Sequence, residues 1–207
     1  MERLWNPAVA TNRNWRNKNA ITYDAVVLDA PPTGRISQFL GVNQELAGLA
    51  RMGPIKSQAD SVTSLFRSAR TAVHLVTVLE EMPVQETADA IAELRQHRLP
   101  VGGVVVNQVR PRDLDDDDLA AVRAGKITKR KVAADLNRAG LNGTGHLVVG
   151  LLAEAVDHAE RRKLEGTQRA LVGELDLPTY ELPLLVGGVD LGALYELAVL
   201  LRDQGLA

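Results

Sequence analysis

The sequence contains no cysteine. Disulfide bonds, thiol catalysis and cysteine-based zinc sites are therefore excluded from this chain. Aromatic residues make up only 3% of the 207 residues, so a core has to be built from valine, leucine, isoleucine and alanine. No apolar run approaches the roughly 20 residues that a membrane-spanning helix needs. Residues 1–20 contain no apolar segment of the signal-peptide type, and the expected location is the cytoplasm.

The charge balance gives no general reason to expect a nucleic-acid partner, because the net charge is −2. Basic residues do cluster at 126–131 and at 161–163, but acidic residues stand close to both clusters. We interpret the clusters as solvated faces of helices. The acidic run at 113–118 could hold a hard cation or could cap the start of a helix, and capping is the favoured interpretation.

Strand-like and helix-like segments alternate along the chain from Tyr23 onward. A proline at position 83 opens one predicted helix and Pro100 ends it. Strands are predicted at 25–29, 71–79, 101–107 and 178–185, and helices at 34–53, 58–69, 146–175 and 190–204, with short helices inside 110–143. Such alternation predicts an α/β fold, in which a mostly parallel sheet carries helices on both faces.

Residues 1–22 differ from the rest of the chain. They are rich in asparagine and arginine, contain both tryptophans and have no clear period. We interpret them as an irregular leader or as the product of a misplaced start codon. The predicted domain then covers residues 23–207.

The first predicted strand ends in the sequence Asp-Ala-Pro-Pro-Thr-Gly, residues 29–34. Ligands of open α/β sheets gather at the carboxyl ends of the strands. An aspartate at that position can hold Mg²⁺ through water, and a backbone amide near Gly34 can approach a terminal phosphate because no Cβ obstructs it. Asp29 could equally end the strand and cap the following helix, and the hexapeptide alone leaves both interpretations open.

Two further strand ends carry possible ligand groups. Asn107 presents a donor and an acceptor together, which suits the edge of an adenine, although an asparagine often satisfies the backbone of a turn instead. The apolar, glycine-ended segment at 182–188 could lie against a base or could form a tight strand-to-helix turn. The histidines do not form a metal-binding set, and His74, inside a predicted strand, is expected to lie in or near the core.

Taken together, these segments resemble the ArsA/Get family of P-loop ATPases, in particular its bacterial anion-transporting paralogues. DAPPTGRISQFL (29–40) resembles the switch II segment of that family, and VTVLEEMPVQETADAIAELRQHRLPVGGVVVNQV (76–109) resembles its strand, helix and Val-Val-Asn-Gln strand. The closing segment ELPLLVGGVDLGALYELAVLL resembles the adenine loop and last helix of the family. One departure is Arg35, which stands where the family commonly has histidine.

The resemblance implies a role for each of these residues. Asp29 would hold Mg²⁺, Thr33 and Gly34 would sense the γ-phosphate of ATP, and Asn107 would face adenine. The loop that begins at Pro183 would lie beside the base. The implied cofactors are ATP and Mg²⁺. The implied partners are a second subunit, in a homodimer or in a heterodimer with a paralogous ATPase, and a membrane protein or transporter.

A large part of the expected site has no counterpart in this sequence. The phosphate-binding motif GxxxxGK[ST] does not occur in the 207 residues. The resemblance therefore predicts a P-loop NTPase-like, three-layer α/β/α fold that is incomplete at its N-terminal end, with no catalytic residue assigned. Residues 23–207 would be the C-terminal portion of an ATPase domain, in a truncated or non-catalytic form. The alternative is a non-enzymatic partner subunit that regulates an intact paralogous ATPase.

Overall fold

The computed structural model of the chain describes Tyr23, residues 25–30, Pro32, Arg35 and residues 54–206. By its internal contacts the chain divides into two units, residues 1–64 and residues 65–207. The predicted leader at 1–22, the proposed phosphate sensors Thr33 and Gly34, and the predicted helix at 34–53 apart from Arg35 lie outside the described residues.

The predicted strand at 25–29 is wrong. Residues 25–30 form neither a helix nor a strand, and Val26 and Val27 are 59% and 53% exposed. A β-branched run gains its stability from a neighbouring strand and from burial of one face. No strand pairing involves this segment in the part of the chain that the structure describes.

The remaining elements follow the predicted order with shifted boundaries. The helices are α1 (Pro54–Phe66), α2 (Glu81–Gln96), α3 (Asp116–Arg123), α4 (Lys129–Arg138), α5 (Gly145–Gly173) and α6 (Leu191–Asp203). The strands are β1 (Val73–Thr77), β2 (Val101–Val109) and β3 (Thr179–Pro183). The long helix predicted at 146–175 is a single uninterrupted helix, and the two short helices inside 110–143 are α3 and α4.

The described strands form a three-stranded parallel sheet in the order β1-β2-β3. Leu75 pairs with Val104 and Thr77 pairs with Val106, so these four side chains share one face, and all four are buried. Val105 lies on the opposite face next to Val76 of β1, which is 64% exposed. The parallel sheet confirms the predicted α/β fold class.

Helices lie on both faces of this sheet. Val105, Tyr180 and Leu182 form a buried cluster against which Leu197 and Leu201 of α6 pack. On the other face, Arg169 of α5 forms an ion pair with Glu181 of β3. Helix α2 contacts β1, β2 and α5. The arrangement is therefore the three-layer one expected of a P-loop NTPase-like fold.

Helix α2 shows how its sequence determines the buried face. Its buried residues recur at helical spacing and are Val84, Thr87, Ala90, Ile91 and Leu94. Pro83 lies in the first turn, where the missing N–H costs nothing, and its carbonyl accepts a hydrogen bond of 2.8 Å from the Thr87 hydroxyl. The buried hydroxyl of Thr87 is thus satisfied inside the helix.

Two adjacent glycines of β2 allow close packing. A Cβ at Gly102 would lie 2.5 Å from Cε1 of His74, so the histidine ring lies directly over this glycine. A Cβ at Gly103 would lie 2.7 Å from the carbonyl oxygen of Pro178 and 2.9 Å from the ring of Tyr180. His74 itself is exposed, and the prediction that it lies in or near the core is wrong.

The polar stretch between β2 and α5 builds a small helical layer. Leu119 and Val122 of α3 are buried together with Ala159 of α5. Asp115 accepts a hydrogen bond of 2.7 Å from the backbone N–H of Asp118, which caps the start of α3. Helix capping is therefore the role the structure gives to the acidic run at 113–118.

Candidate functional site

The carboxyl end of β2 contains an irregular backbone. The pairing between β2 and β3 shifts register between Val106 and Val109, which leaves Asn107 and Gln108 in a bulge. Gln108 has a φ of 57°, a left-handed conformation that a side-chain-bearing residue adopts at a cost of about 1 kcal/mol. Strain of this kind concentrates at functional sites.

Asn107 is half-buried, and its side-chain oxygen points back to the chain. The backbone N–H of Gln108 donates to Oδ1 of Asn107 at 2.9 Å. This is the turn-satisfying role that was the alternative to adenine binding. The side-chain NH₂ makes no hydrogen bond to any described residue, and Oδ1 keeps a second lone pair. The amide therefore still offers a donor and an acceptor to a ligand.

The end of β3 lies next to this bulge. Pro183 pairs with Val109, and the backbone N–H of Leu184 donates to the Val109 carbonyl at 2.8 Å. The structure thus brings together two of the residues proposed for the adenine, Asn107 and Pro183, at the carboxyl edge of the sheet. Sequence separation between them is large, so only the parallel pairing of β2 with β3 makes them neighbours.

The loop after Leu184 exposes apolar side chains. Val186 is 90% exposed and Val189 is 67% exposed, and Gly188 adopts a φ of 84°. A positive φ at glycine costs no Cβ clash, which allows the chain to turn sharply into α6. The tight strand-to-helix turn is therefore present, and its apolar side chains face solvent rather than the core.

Asp29 belongs to the other unit of the chain, residues 1–64. It is exposed and lies in the irregular segment 25–30. The backbone N–H of Arg35 donates to the carbonyl of Pro32 at 2.9 Å, so the residues after Asp29 include a turn. Among the described residues, no group of three or more histidine, aspartate or glutamate side chains is placed to hold a metal ion.

A buried ionic cluster near the end of β2 was not predicted from the sequence. Glu165 of α5 is 7% exposed and forms ion pairs with Arg162 and with Arg110, the residue that follows β2. The interpretation of 161–163 as a solvated helix face is therefore wrong for Arg162, whose side chain is only 11% exposed. The i, i+3 spacing of Arg162 and Glu165 was the available signal, but spacing alone does not distinguish a buried pair from an exposed one.

Within the described residues, no helix is both long enough and apolar enough to cross a bilayer.

This chain resembles known ATPases over most of its length. The ATPase BagA of Mycobacterium tuberculosis is 44% identical over 191 residues, which is 92% of this chain and 56% of that protein. A candidate ATPase of Mycobacterium bovis matches with the same identity and coverage. The chain thus spans 56% of the length of these relatives. The sequence model of the anion-transporting ATPase family matches residues 35–139, about half of the chain, and the chain belongs to this family.

Proposed function

We propose that this chain supplies the adenine-binding side of an ATP site. The observation that carries the proposal is the junction of β2 and β3, where the Leu184 N–H bonds the Val109 carbonyl at 2.8 Å and places Pro183 beside the Asn107 bulge. Carboxyl ends of parallel strands are the usual ligand positions of such sheets. Family membership supports ATP as the nucleotide.

In this proposal the Asn107 amide reads the edge of adenine. Its free NH₂ group donates to a ring nitrogen, while the second lone pair of Oδ1 accepts from the exocyclic amine. The bond from Gln108 N–H holds Oδ1 in place, so the amide does not have to be ordered when the nucleotide binds. The apolar loop that begins at Pro183 covers one side of the base and gains burial for Val186.

Asp29 is proposed as the magnesium aspartate. A single exposed carboxylate fits Mg²⁺, which keeps several waters and is otherwise held by substrate phosphates. The magnesium would offset the negative charge of the phosphates. Thr33 and Gly34 are proposed to contact the γ-phosphate through a side-chain hydroxyl and a backbone amide.

We further propose that these 207 residues by themselves do not hydrolyse ATP. The sequence contains no GxxxxGK[ST] motif, whose amides and lysine provide much of the phosphate-binding energy of P-loop enzymes. The adenine side alone is expected to bind nucleotide weakly. A purified chain that turned over Mg-ATP at a rate normal for the family would contradict this part of the proposal.

Ligand-observed NMR on the purified chain tests the adenine site. ATP should give a saturation-transfer signal that is strongest at the adenine protons, and Asn107→Ala should reduce it. Asn142→Ala is the matched control, because Asn142 is exposed and its side chain makes no hydrogen bond to a described residue. An Asn107→Ala chain that binds ATP as well as the control would overturn the adenine assignment.

A second candidate function is that of a non-enzymatic subunit that binds and regulates an intact paralogous ATPase. The observation that favours it is the run of exposed apolar residues on α6, where Leu191, Leu194 and Tyr195 are 70%, 51% and 68% exposed. Such a chain should co-purify with a full-length paralogue while binding no ATP alone. Leu191→Ser with Tyr195→Ser should then abolish co-purification.

A further inference from the structure

Arg110 occupies a fixed position at the edge where the nucleotide is proposed to bind. It is the residue that follows β2, and the preceding Val109 is paired with Pro183 and accepts a hydrogen bond from Leu184. Its backbone is therefore held close to the Asn107 bulge. Its side chain is 41% exposed, so the guanidinium is open to solvent at this edge.

The shortest polar contact of the Arg110 side chain is made by Nε. Nε lies 3.5 Å from Oε1 of Glu165, which is an ion-pair distance but longer than a good hydrogen bond. The two terminal nitrogens make no hydrogen bond with any residue in the described part of the chain. An arginine fork binds a carboxylate or phosphate through two parallel bonds, and here that fork is open to a ligand.

Glu165 does not neutralise Arg110 completely, because it is shared. Its other oxygen, Oε2, lies 3.1 Å from Nη1 of Arg162, and both of these side chains are about 90% buried, with 10% and 11% exposed. One carboxylate between two guanidinium groups leaves a net charge of +1. The nearby pair of Arg169 and Glu181, by contrast, is one-to-one, with distances of 2.6 and 3.4 Å.

The excess positive charge can reach a ligand only through Arg110, since Arg162 is enclosed and its Nε is buried without a partner among the described residues. We propose that Arg110 binds a phosphate group of the adenine nucleotide, with Glu165 as the residue that positions it. The inference rests on the proposed adenine site. It adds a cation for the phosphates to a sequence in which the GxxxxGK[ST] motif does not occur.

The test compares ATP, adenosine and inorganic tripolyphosphate on the full 207-residue chain. Arg110→Gln should weaken the binding of ATP and of tripolyphosphate about tenfold, the size expected for a partly exposed charge-assisted contact. The affinity for adenosine should not change. Arg110→Lys keeps the charge and should recover part of the loss. Arg112→Gln removes the same charge at an exposed position, where no ion pair is formed with a described residue, and should have little effect.

Each other outcome has a distinct meaning. Equal losses for ATP and adenosine, no loss in Arg110→Gln, or the same loss in Arg112→Gln would overturn the inference while leaving the adenine site intact. Failure of the unmodified chain to bind ATP would overturn the proposed function instead. The assignment of Arg110 to a nucleotide phosphate would fall with it, and tripolyphosphate binding that still depends on Arg110 would show an anion site that does not serve ATP.

The positioning role of Glu165 has its own readout. ¹⁵N relaxation of the arginine Nε–H groups should show Arg110 to be more rigid than Arg112 in the unmodified chain. Glu165→Gln should make Arg110 as mobile as Arg112, provided that thermal unfolding shows the variant to be folded. Equal mobility of Arg110 before and after the substitution would exclude positioning by Glu165.

Discussion

The side chain of Gln204 forms with Glu181 both hydrogen bonds that a neighbouring strand would form. The Glu181 N–H donates to Oε1 of Gln204 at 2.7 Å, and Nε2 of Gln204 donates to the Glu181 carbonyl at 2.9 Å. Gln204 caps the end of α6, so the helix that covers β3 also occupies its outer edge. An open strand edge is a template for association, and this contact blocks it locally.

Gln204→Ala should lower the free energy of unfolding by about 1–2 kcal/mol, because two hydrogen bonds from the Gln204 side chain to the Glu181 backbone are lost at a partly hydrated edge. Gln96→Ala, at the exposed end of α2, should change it by less than about 0.5 kcal/mol. Urea unfolding followed by circular dichroism measures both. Equal stabilities of the two variants would show that the edge contact contributes nothing.

Gly103→Ala should destabilise the sheet by about 2 kcal/mol, because the new Cβ would lie 2.7 Å from a backbone oxygen that cannot move away cheaply. Gly166→Ala is the matched control. Gly166 lies inside α5, and a methyl group added there would meet nothing within 4 Å apart from the adjacent residues and backbone of the helix itself, so alanine should stabilise the helix by about 0.5–1 kcal/mol. The midpoint temperature of thermal unfolding should fall in Gly103→Ala and rise in Gly166→Ala. A shift in the same direction for both variants would contradict the packing at Gly103.

Glu165→Ala should lower the free energy of unfolding by about 3 kcal/mol or more, because it leaves Arg162 buried without a counter-ion. Glu160→Ala removes the same group from an exposed position on α5, where no ion pair is formed with a described residue. This control should change the free energy of unfolding by less than about 0.5 kcal/mol. Chemical unfolding that found the two variants equally stable would refute the burial of the ionic cluster.

The amide of Leu184 should exchange with solvent more slowly than the amide of Val186, after correction for intrinsic rates. Leu184 N–H is bonded to the Val109 carbonyl at 2.8 Å, whereas Val186 is 90% exposed and its N–H makes no hydrogen bond to a described residue. Hydrogen–deuterium exchange followed by NMR measures both amides. Rapid exchange at Leu184 would mean that the junction between β2 and β3 opens readily, which would weaken the proposed adenine site.

Much of the fold is predictable because the spacing of apolar residues along the chain indicates which segments are helices and which are strands. The apolar spacing of Val84, Ile91 and Leu94 predicts the buried face of α2, and the β-branched runs predict the strands β1 and β2. The segment 25–29 shows the limit of the same reasoning. Its β-branched residues suit a strand, but a strand also needs a neighbour, and a single run contains no information about which neighbour is in place.

The candidate site also has a part that the sequence predicts and a part that it does not. Asn107 and Pro183 are identifiable as strand-end residues from their own surroundings, and the adenine role is a prediction from the resemblance of these segments to the family. Their proximity, the bulge at Gln108 and the bond that fixes the Asn107 oxygen follow only from the register of β2 against β3. Register depends on how whole strands pack, which no short window of sequence specifies.

The amino-acid order thus determined the alternation of elements and the residue types at the strand ends, because both depend on chemistry within a few positions of the chain. Tertiary structure decided which charges are removed from water. Glu165 and Arg162 look like ordinary surface residues of a long helix, yet packing of α5 against the body of the domain buries them, and Glu165 forms an ion pair with Arg110 at the end of β2. Burial is a property of the assembled fold. An exposed ion pair contributes little to stability, whereas removing one partner of a buried pair is strongly destabilising.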